Sequence, residues 1–213
     1  MVNKSGKIKT LMPTTKSIYM NDFPRDYLVR KNKVEHKIIL HSSKTDIAEF
    51  NQYAKRSLAQ DNDARRRSKD EAISIHIITA KLGTRLNILY EAQICGFYGK
   101  PDFIIRLGRN LYIMVSTTRA MSKRSVFDQS DANRLMNKKL TGLSICAQNL
   151  ECLVDEVVDV DFIVRPVLHI LSPNDDHAAM CMLAYKNMLI NSNLDLSNIK
   201  IVITCVENHK KLL

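Results

Sequence analysis

The sequence predicts an α/β fold in which a mixed central sheet is flanked by helices. Two stretches, 161–171 and 199–206, are nearly continuous runs of apolar and β-branched residues, as in strands that are covered on both faces. Segments with a helical spacing of apolar residues lie before and between them, and this alternation is typical of a sheet covered by helices. The 213 residues are enough for one domain of ordinary size with an N-terminal extension.

The first part of the chain predicts an extension followed by helices. Residues 1–42 form a basic N-terminal extension, and the stretch at its end, 34–43, has the composition of a strand. Residues 43–83 form a helical lead-in. Apolar residues recur there with a helical period behind a Ser/Thr cap, and again from Ile73 onward, so we expect two helices.

Residues 84–206 predict the α/β core, and 207–213 a short tail. The core begins with a helix at 84–95, because Thr84 can cap it and its apolar residues lie near one face. Pro101-Asp102 then opens a strand that ends in a tight turn at 108–110. The remaining elements are a strand at 111–118, a helix at 130–150, a strand at 161–171, a helix at 174–191 and a strand at 199–206.

The net charge of +10 is unevenly distributed along the chain. Residues 1–150 carry +14 and residues 151–213 carry −4. The basic flank predicts a face that binds nucleic acid, RNA or DNA, and the acidic flank a face for a protein partner. The alternative is a solvated surface that favours solubility. The residues predicted to contact nucleic acid are Arg65, Arg66, Arg67, Lys100, Arg119, Lys123 and Arg124.

Several other classes of protein and site are disfavoured. No apolar run is long enough to cross a bilayer and no signal-peptide pattern is present, so we expect a cytoplasmic or nuclear protein without a membrane. The five cysteines are scattered without a CxxC pair, which argues against a structural zinc site. The sequence has no Gly-rich phosphate loop, nucleophile elbow or HExxH motif.

Two acidic residues are candidates for a chemical site. Glu91 lies toward the end of the predicted helix 84–95, and Asp102 opens the following strand. Clustered carboxylates suit Mg²⁺ or Mn²⁺, because hard cations prefer oxygen ligands and can bridge the attacking and leaving oxygens of a phosphodiester. A nearby lysine can orient the hydroxide or neutralise the phosphate. Glu91 and Asp102 are therefore the candidate metal ligands and catalytic acids.

The segment "LGTRLNILYEAQICGFYGKPDFIIRLGRNLYIMVSTTR" resembles the PD-(D/E)XK nuclease superfamily. It supplies a helix with a first acid at Glu91, the dipeptide Pro101-Asp102, and a hairpin that leads to the third motif. The resemblance implies a restriction-endonuclease-like core and metal-dependent cleavage of phosphodiesters. The chain departs from the family where the third motif would place an acid and a lysine, because it has Val115-Ser116-Thr117-Thr118 there.

The cap-snatching endonucleases of segmented negative-strand RNA viruses are similar to this segment in part. In that group threonines follow the third motif, and the lysine lies on the next helix. Here "STT" is followed by "NRLMNKKLTGL", so Lys138 or Lys139 is the candidate for a migrated catalytic lysine. The third acid is still missing, and two carboxylates would hold Mg²⁺ or Mn²⁺ only weakly.

Two functions therefore remain open. The first is a nucleic-acid-binding, metal-dependent nuclease with a weakened site. The second is a catalytically inactive nuclease-fold subunit that acts as a structural or interaction module in a larger assembly. An unrelated α/β interaction module is a third interpretation, since each of these acids and lysines could also be a solvated surface residue.

Overall fold

The computed structural model describes residues 16–19, 25–30, 37–43, 49–60, 67–83, 85–90, 101–122, 126–149 and 162–206. Within these ranges the chain forms seven strands and five helices. In chain order they are β1 (Lys16–Tyr19), α1 (Arg25–Val29), β2 (Lys37–Ser43), α2 (Gln52–Gln60), α3 (Arg67–Leu82), β3 (Asn87–Tyr90), β4 (Phe103–Leu107), β5 (Leu111–Arg119), α4 (Gln129–Gln148), β6 (Ile163–Ser172), α5 (Asp175–Asn191) and β7 (Lys200–Val206).

The seven strands form one sheet in the order β1-β2-β7-β6-β5-β4-β3. Strand β4 pairs antiparallel with β3 and with β5. The other four pairs, β5–β6, β6–β7, β7–β2 and β2–β1, are parallel. The predicted α/β class, a mixed central sheet flanked by helices, is confirmed. None of the described helices is long and apolar enough to span a membrane.

Both faces of the sheet are covered, which explains the nearly continuous apolar strands. Consecutive residues of a strand point to opposite faces. Met114 packs in the cluster that contains α4 and α5, whereas the next residue, Val115, packs in the cluster that contains α1, α2 and α3. Both side chains are fully buried. Every position of such a strand faces an apolar layer, so the hydrophobic alternation of a half-exposed strand disappears.

Most of the predicted elements are confirmed within one to a few residues, including α3, α4, α5 and the strands β4 to β7. The N-cap of α4 is Asp128, whose side chain accepts a hydrogen bond from the N–H of Asp131 at 2.8 Å. Asn174 caps α5 in the same way, with the N–H of His177 as donor at 2.9 Å. Such caps satisfy N–H groups that have no partner inside the helix. Gly108, with φ of +72°, supplies the left-handed backbone of the β4–β5 turn.

The helix predicted at 84–95 is wrong. Asn87–Tyr90 forms strand β3, which pairs antiparallel with β4 from Asn87↔Arg106 to Tyr90↔Phe103. Ile88 and Tyr90 are buried two positions apart, as a strand requires. A short apolar run is compatible with the period of a helix and with that of a strand, and here the pairing with β4 selects the strand. The core after α3 therefore begins with three strands, and residues 91–95 of the predicted helix lie outside the described ranges.

Strands β1 and β2 fall largely in the segment predicted as a basic extension, 1–42. The predicted strand at 34–43 is confirmed as β2. It pairs with β7, with Ile38–Leu40 opposite Ile201–Ile203, and β1 pairs along its other edge. The apolar run of β2 matches the apolar run of β7, and the sheet continues two strands beyond the predicted core.

A buried polar network joins α3, β6 and β7. His169 is fully buried, with its Nδ1 2.7 Å from Ser74 Oγ and its Nε2 2.7 Å from Thr204 Oγ1. Each hydroxyl can donate or accept, so a neutral imidazole can bond to both.

Thr204→Val should lower the free energy of unfolding by about 1–3 kcal/mol, because it removes the hydroxyl that bonds buried His169 and leaves the side-chain shape nearly unchanged. Urea denaturation would measure the change. Thr118→Val on β5 is the control for the substitution itself, because the half-buried Thr118 makes no hydrogen bond through its side chain within the described part of the chain. Equal stability of the two variants would show that the network contributes nothing.

Candidate functional site

Asp102 lies directly before β4, beside the end of β5. Its N–H donates to the carbonyl oxygen of Val115 at 2.9 Å, which extends the antiparallel ladder by one residue. Its carboxylate oxygen Oδ2 accepts hydrogen bonds from the N–H of Thr117 and from Ser116 Oγ, the latter at 3.3 Å. The end of β5 therefore fixes the position of this carboxylate, although it supplies no acid of its own.

Lys139 of α4 reaches the same place. Its Nζ donates to Ser116 Oγ at 3.2 Å and lies 3.7 Å from Asp102 Oδ2. Both charged side chains are about three-quarters buried, at 26% and 24% exposure. The neighbouring Lys138 is exposed, with no contact to Asp102 among the described residues. Of the two candidate lysines, the structure brings Lys139 to the predicted acid.

Asp70, in the first turn of α3, is a second carboxylate at this corner of the sheet. It forms an ion pair and a hydrogen bond with the guanidinium of Arg119, the last residue of β5, and both side chains are largely buried. Burial raises the pKa of Asp70, the charge of Arg119 lowers it, and the negative charge of Asp102 raises it further. Asp70 bonds to Arg119, on the side of β5 that Val115 faces, whereas Asp102 bonds to Ser116, on the side that Met114 faces.

Thr117 lies between these two pairs along β5. Its side chain is 6% exposed, and it lies on the same face of the strand as Arg119, two positions on. Its Oγ1 is buried without a hydrogen-bond partner in the part of the chain that the structure describes. A buried hydroxyl normally has a partner, so this oxygen, on the same side of β5 as Arg119, can still form a hydrogen bond.

The oxygens that could hold a hard divalent cation are those of Asp70 and Asp102. Within the described ranges, the contacts of Asp102 all involve Oδ2 and those of Asp70 all involve Oδ1, which leaves one oxygen of each carboxylate for another partner. The described part of the chain contains no group of three or more His, Cys, Asp or Glu side chains placed to hold a metal ion. The donors have the hard character that Mg²⁺ and Mn²⁺ prefer, but there are only two acids.

The sequence predicts no role for Asp70, since its candidate for the first acid is Glu91, which lies outside the described residues. Asp70 lies in the first turn of α3, the helix that precedes strand β3. The structure gives Arg119 an acidic partner that the sequence did not suggest, and its predicted contact with nucleic acid stays a prediction.

The remaining predicted site residues are not placed. Six of them lie outside the described residues: Glu91, Arg65, Arg66, Lys100, Lys123 and Arg124. Arg67 is described only as the first residue of α3. Convergence of Glu91 with Asp102 and the binding of nucleic acid by the basic residues therefore stay predictions.

Comparison of the chain with protein-family models, with curated proteins and with solved structures gives no match.

Proposed function

We propose that this protein binds nucleic acid and slowly cleaves its phosphodiester bonds with Mg²⁺ or Mn²⁺, on a core of the restriction-endonuclease type. The observation that carries the proposal is the meeting of Lys139 from α4 with Asp102 at β4, only 3.7 Å apart between Nζ and Oδ2. These residues are far apart in sequence and lie on separate elements. A lysine beside a carboxylate at the end of this hairpin is the arrangement that the sequence resemblance implies.

The order of the elements supports the proposed core. The resemblance implies a helix with the first acid, followed by a Pro-Asp strand and a hairpin. In this chain α3 carries Asp70, and β4 and β5 form a hairpin that Asp102 opens. The next helix, α4, then carries Lys139. In this proposal Asp70 takes the role of the first acid, for which Glu91 is the sequence's candidate.

The chemistry assigned to this site is hydrolysis. Water adds to phosphorus, the bond from phosphorus to the leaving oxygen breaks, and that oxygen takes up a proton. Asp70 and Asp102 would hold the divalent cation, which supplies positive charge for the phosphate and for the attacking water. The ammonium of Lys139 can neutralise charge on the phosphate or orient the water. Because the third acid of the family motif is missing, only two carboxylates would hold the cation and cleavage is slow. Mn²⁺ is preferred over Mg²⁺, because Mg²⁺ demands a stricter coordination geometry.

A specific observation favours a second function, that of an inactive nuclease-fold module. Each of the two acids already has a basic partner, Arg119 for Asp70 and Lys139 for Asp102. Two acids and two bases give a locally neutral cluster, which can stabilise the corner of a fold without any metal. In that case the basic part of the chain binds nucleic acid, and the acidic C-terminal part contacts a protein in a larger assembly.

Cleavage of labelled single-stranded RNA and DNA distinguishes the two functions. The natural protein is incubated with Mn²⁺, with Mg²⁺ and with a chelator. Slow cutting that requires the metal, faster in Mn²⁺, supports the nuclease. Salt-sensitive binding with no cutting under any of these conditions supports the inactive module.

Nucleic-acid binding should weaken when Arg65, Arg66 and Arg67 are replaced together by Ser, because they form the densest positive cluster in the chain. Each lost contact with a single strand should reduce the slope of log K against log salt by about 0.7, hence by roughly 2 in total. Fluorescence anisotropy at several salt concentrations measures the slope. The control removes three dispersed exposed cations, Lys55, Arg109 and Lys186. An equal effect of both triple variants would mean that the cluster is ordinary surface.

A further inference from the structure

Asp70, which the proposed function makes a ligand of the divalent cation, is already paired with Arg119. This ion pair joins the first turn of α3 to the last residue of β5, across 49 positions of sequence. The side chains are only 20% and 15% exposed, so water screens the pair less than it screens a surface pair. Asp70 also interacts with the charge of Asp102. The guanidinium therefore neutralises one buried carboxylate, that of Asp70, directly.

Arg119 and a divalent cation would compete for Asp70. A carboxylate that forms a charge-assisted hydrogen bond must lose it, or share it, before it binds a metal ion with full strength. A guanidinium released from its acid is a strong phosphate ligand, because its fork of N–H donors matches phosphate oxygens. The release would occur at the corner where the phosphodiester lies in the proposed function.

We propose that Arg119 is an exchangeable cation of this site: it neutralises Asp70 in the metal-free protein, gives way when a divalent cation binds Asp70, and then binds a phosphate of the nucleic acid. This inference rests on the proposed function, since it adds regulation to the same site. It makes the binding of metal and nucleic acid cooperative. By linkage, metal raises the affinity for nucleic acid by the same factor as nucleic acid raises the affinity for metal.

Arg119→Gln tests the competition directly. The variant keeps a hydrogen-bonding side chain but removes the charge, so the Mn²⁺ concentration that gives half of the maximal rise in Tm should fall about tenfold, the equivalent of one charged hydrogen bond. Arg134→Gln is the matched control, because the exposed Arg134 also pairs with an aspartate, Asp131 in the same helix. An unchanged or higher Mn²⁺ requirement of Arg119→Gln, or no Mn²⁺-dependent shift in it at all, overturns the inference.

Asp70→Asn provides a second test that does not depend on the folding of Arg119→Gln. It removes the acid that both cations share, so Arg119 becomes available without metal. Affinity for a labelled single-stranded RNA in the presence of chelator should rise about tenfold, the equivalent of one charged hydrogen bond to phosphate. The same measurement on Asp70→Asn combined with Arg119→Gln should show no rise. Unchanged metal-free affinity of the single variant contradicts the inference.

Failure of this inference and failure of the proposed function give different results. Tighter Mn²⁺ binding by Arg119→Gln, with no cleavage by any variant, would leave the exchangeable cation in place and remove the nuclease. Metal-dependent cleavage by the natural protein, with equal Mn²⁺ requirements in the natural protein and Arg119→Gln, would leave the nuclease and remove the exchangeable cation.

Discussion

Lys139→Ala should reduce metal-dependent cleavage by about a hundredfold or more, whereas Lys138→Ala should leave it nearly unchanged. Loss of one positive group that is preorganised for charge in the transition state typically has an effect of this size. Lys139 Nζ lies 3.2 Å from Ser116 Oγ and 3.7 Å from Asp102, while Lys138 is exposed. The two variants lose the same side chain from adjacent positions of one helix, so their difference reports position alone. Cleavage of labelled RNA in Mn²⁺ measures both.

Asp102→Asn should abolish the same cleavage. The amide keeps the shape and one acceptor oxygen for the N–H of Thr117, but it removes the charge that would attract a cation. Circular dichroism and Tm check that the variant is folded. Rapid cutting that survives Asp102→Asn would show that the site lies elsewhere. Absence of cutting by the natural protein, with salt-sensitive binding intact, would favour the inactive module.

The hairpin around Asp102 could be predicted because its signals are local. Pro101-Asp102 opens the strand, Gly108 supplies the turn, and apolar runs of the right length lie on each side. The choice between Lys138 and Lys139 could also have been made. Met136 and Leu143 are buried, and Lys139 stands three after the first and four before the second, on the same side of the helix. Lys138 stands two positions after Met136 and faces away.

The helix at 84–95 and the role of Asp70 could not be settled by local signals. "NILY" is short enough to fit a helix or a strand, and its pairing with β4 is a property of the sheet rather than of the segment. The Asp70–Arg119 pair joins residues 49 positions apart, and no spacing rule predicts such a contact. The partner of Arg119 could therefore not be predicted from any one segment, and Glu91 stays the sequence's own candidate for the first acid.

The hydroxyl of Tyr27 is one of the groups that attach α1 to the sheet. This hydroxyl donates to the carbonyl oxygen of Ile201 at 3.0 Å and accepts from the N–H of the same residue at 3.2 Å. Ile201 lies in β7, opposite Ile38 at the point where the pairing with β2 begins. Burial raises the pKa of Tyr27, so the hydroxyl stays protonated and able to donate.

Tyr27→Phe should therefore lower the free energy of unfolding by about 2–4 kcal/mol, because two buried backbone groups lose this partner at about 1–2 kcal/mol each, in the lower part of the usual range. For a protein of this size the Tm should fall by roughly 5–15 °C. Tyr112→Phe is the matched control: Tyr112 is also buried, and its hydroxyl has no hydrogen-bond partner among the described residues. Loss of that hydroxyl should leave the Tm unchanged or raise it. Calorimetry of both variants decides the matter, since equal Tm values would mean that the Tyr27 hydroxyl does not hold α1 against β7.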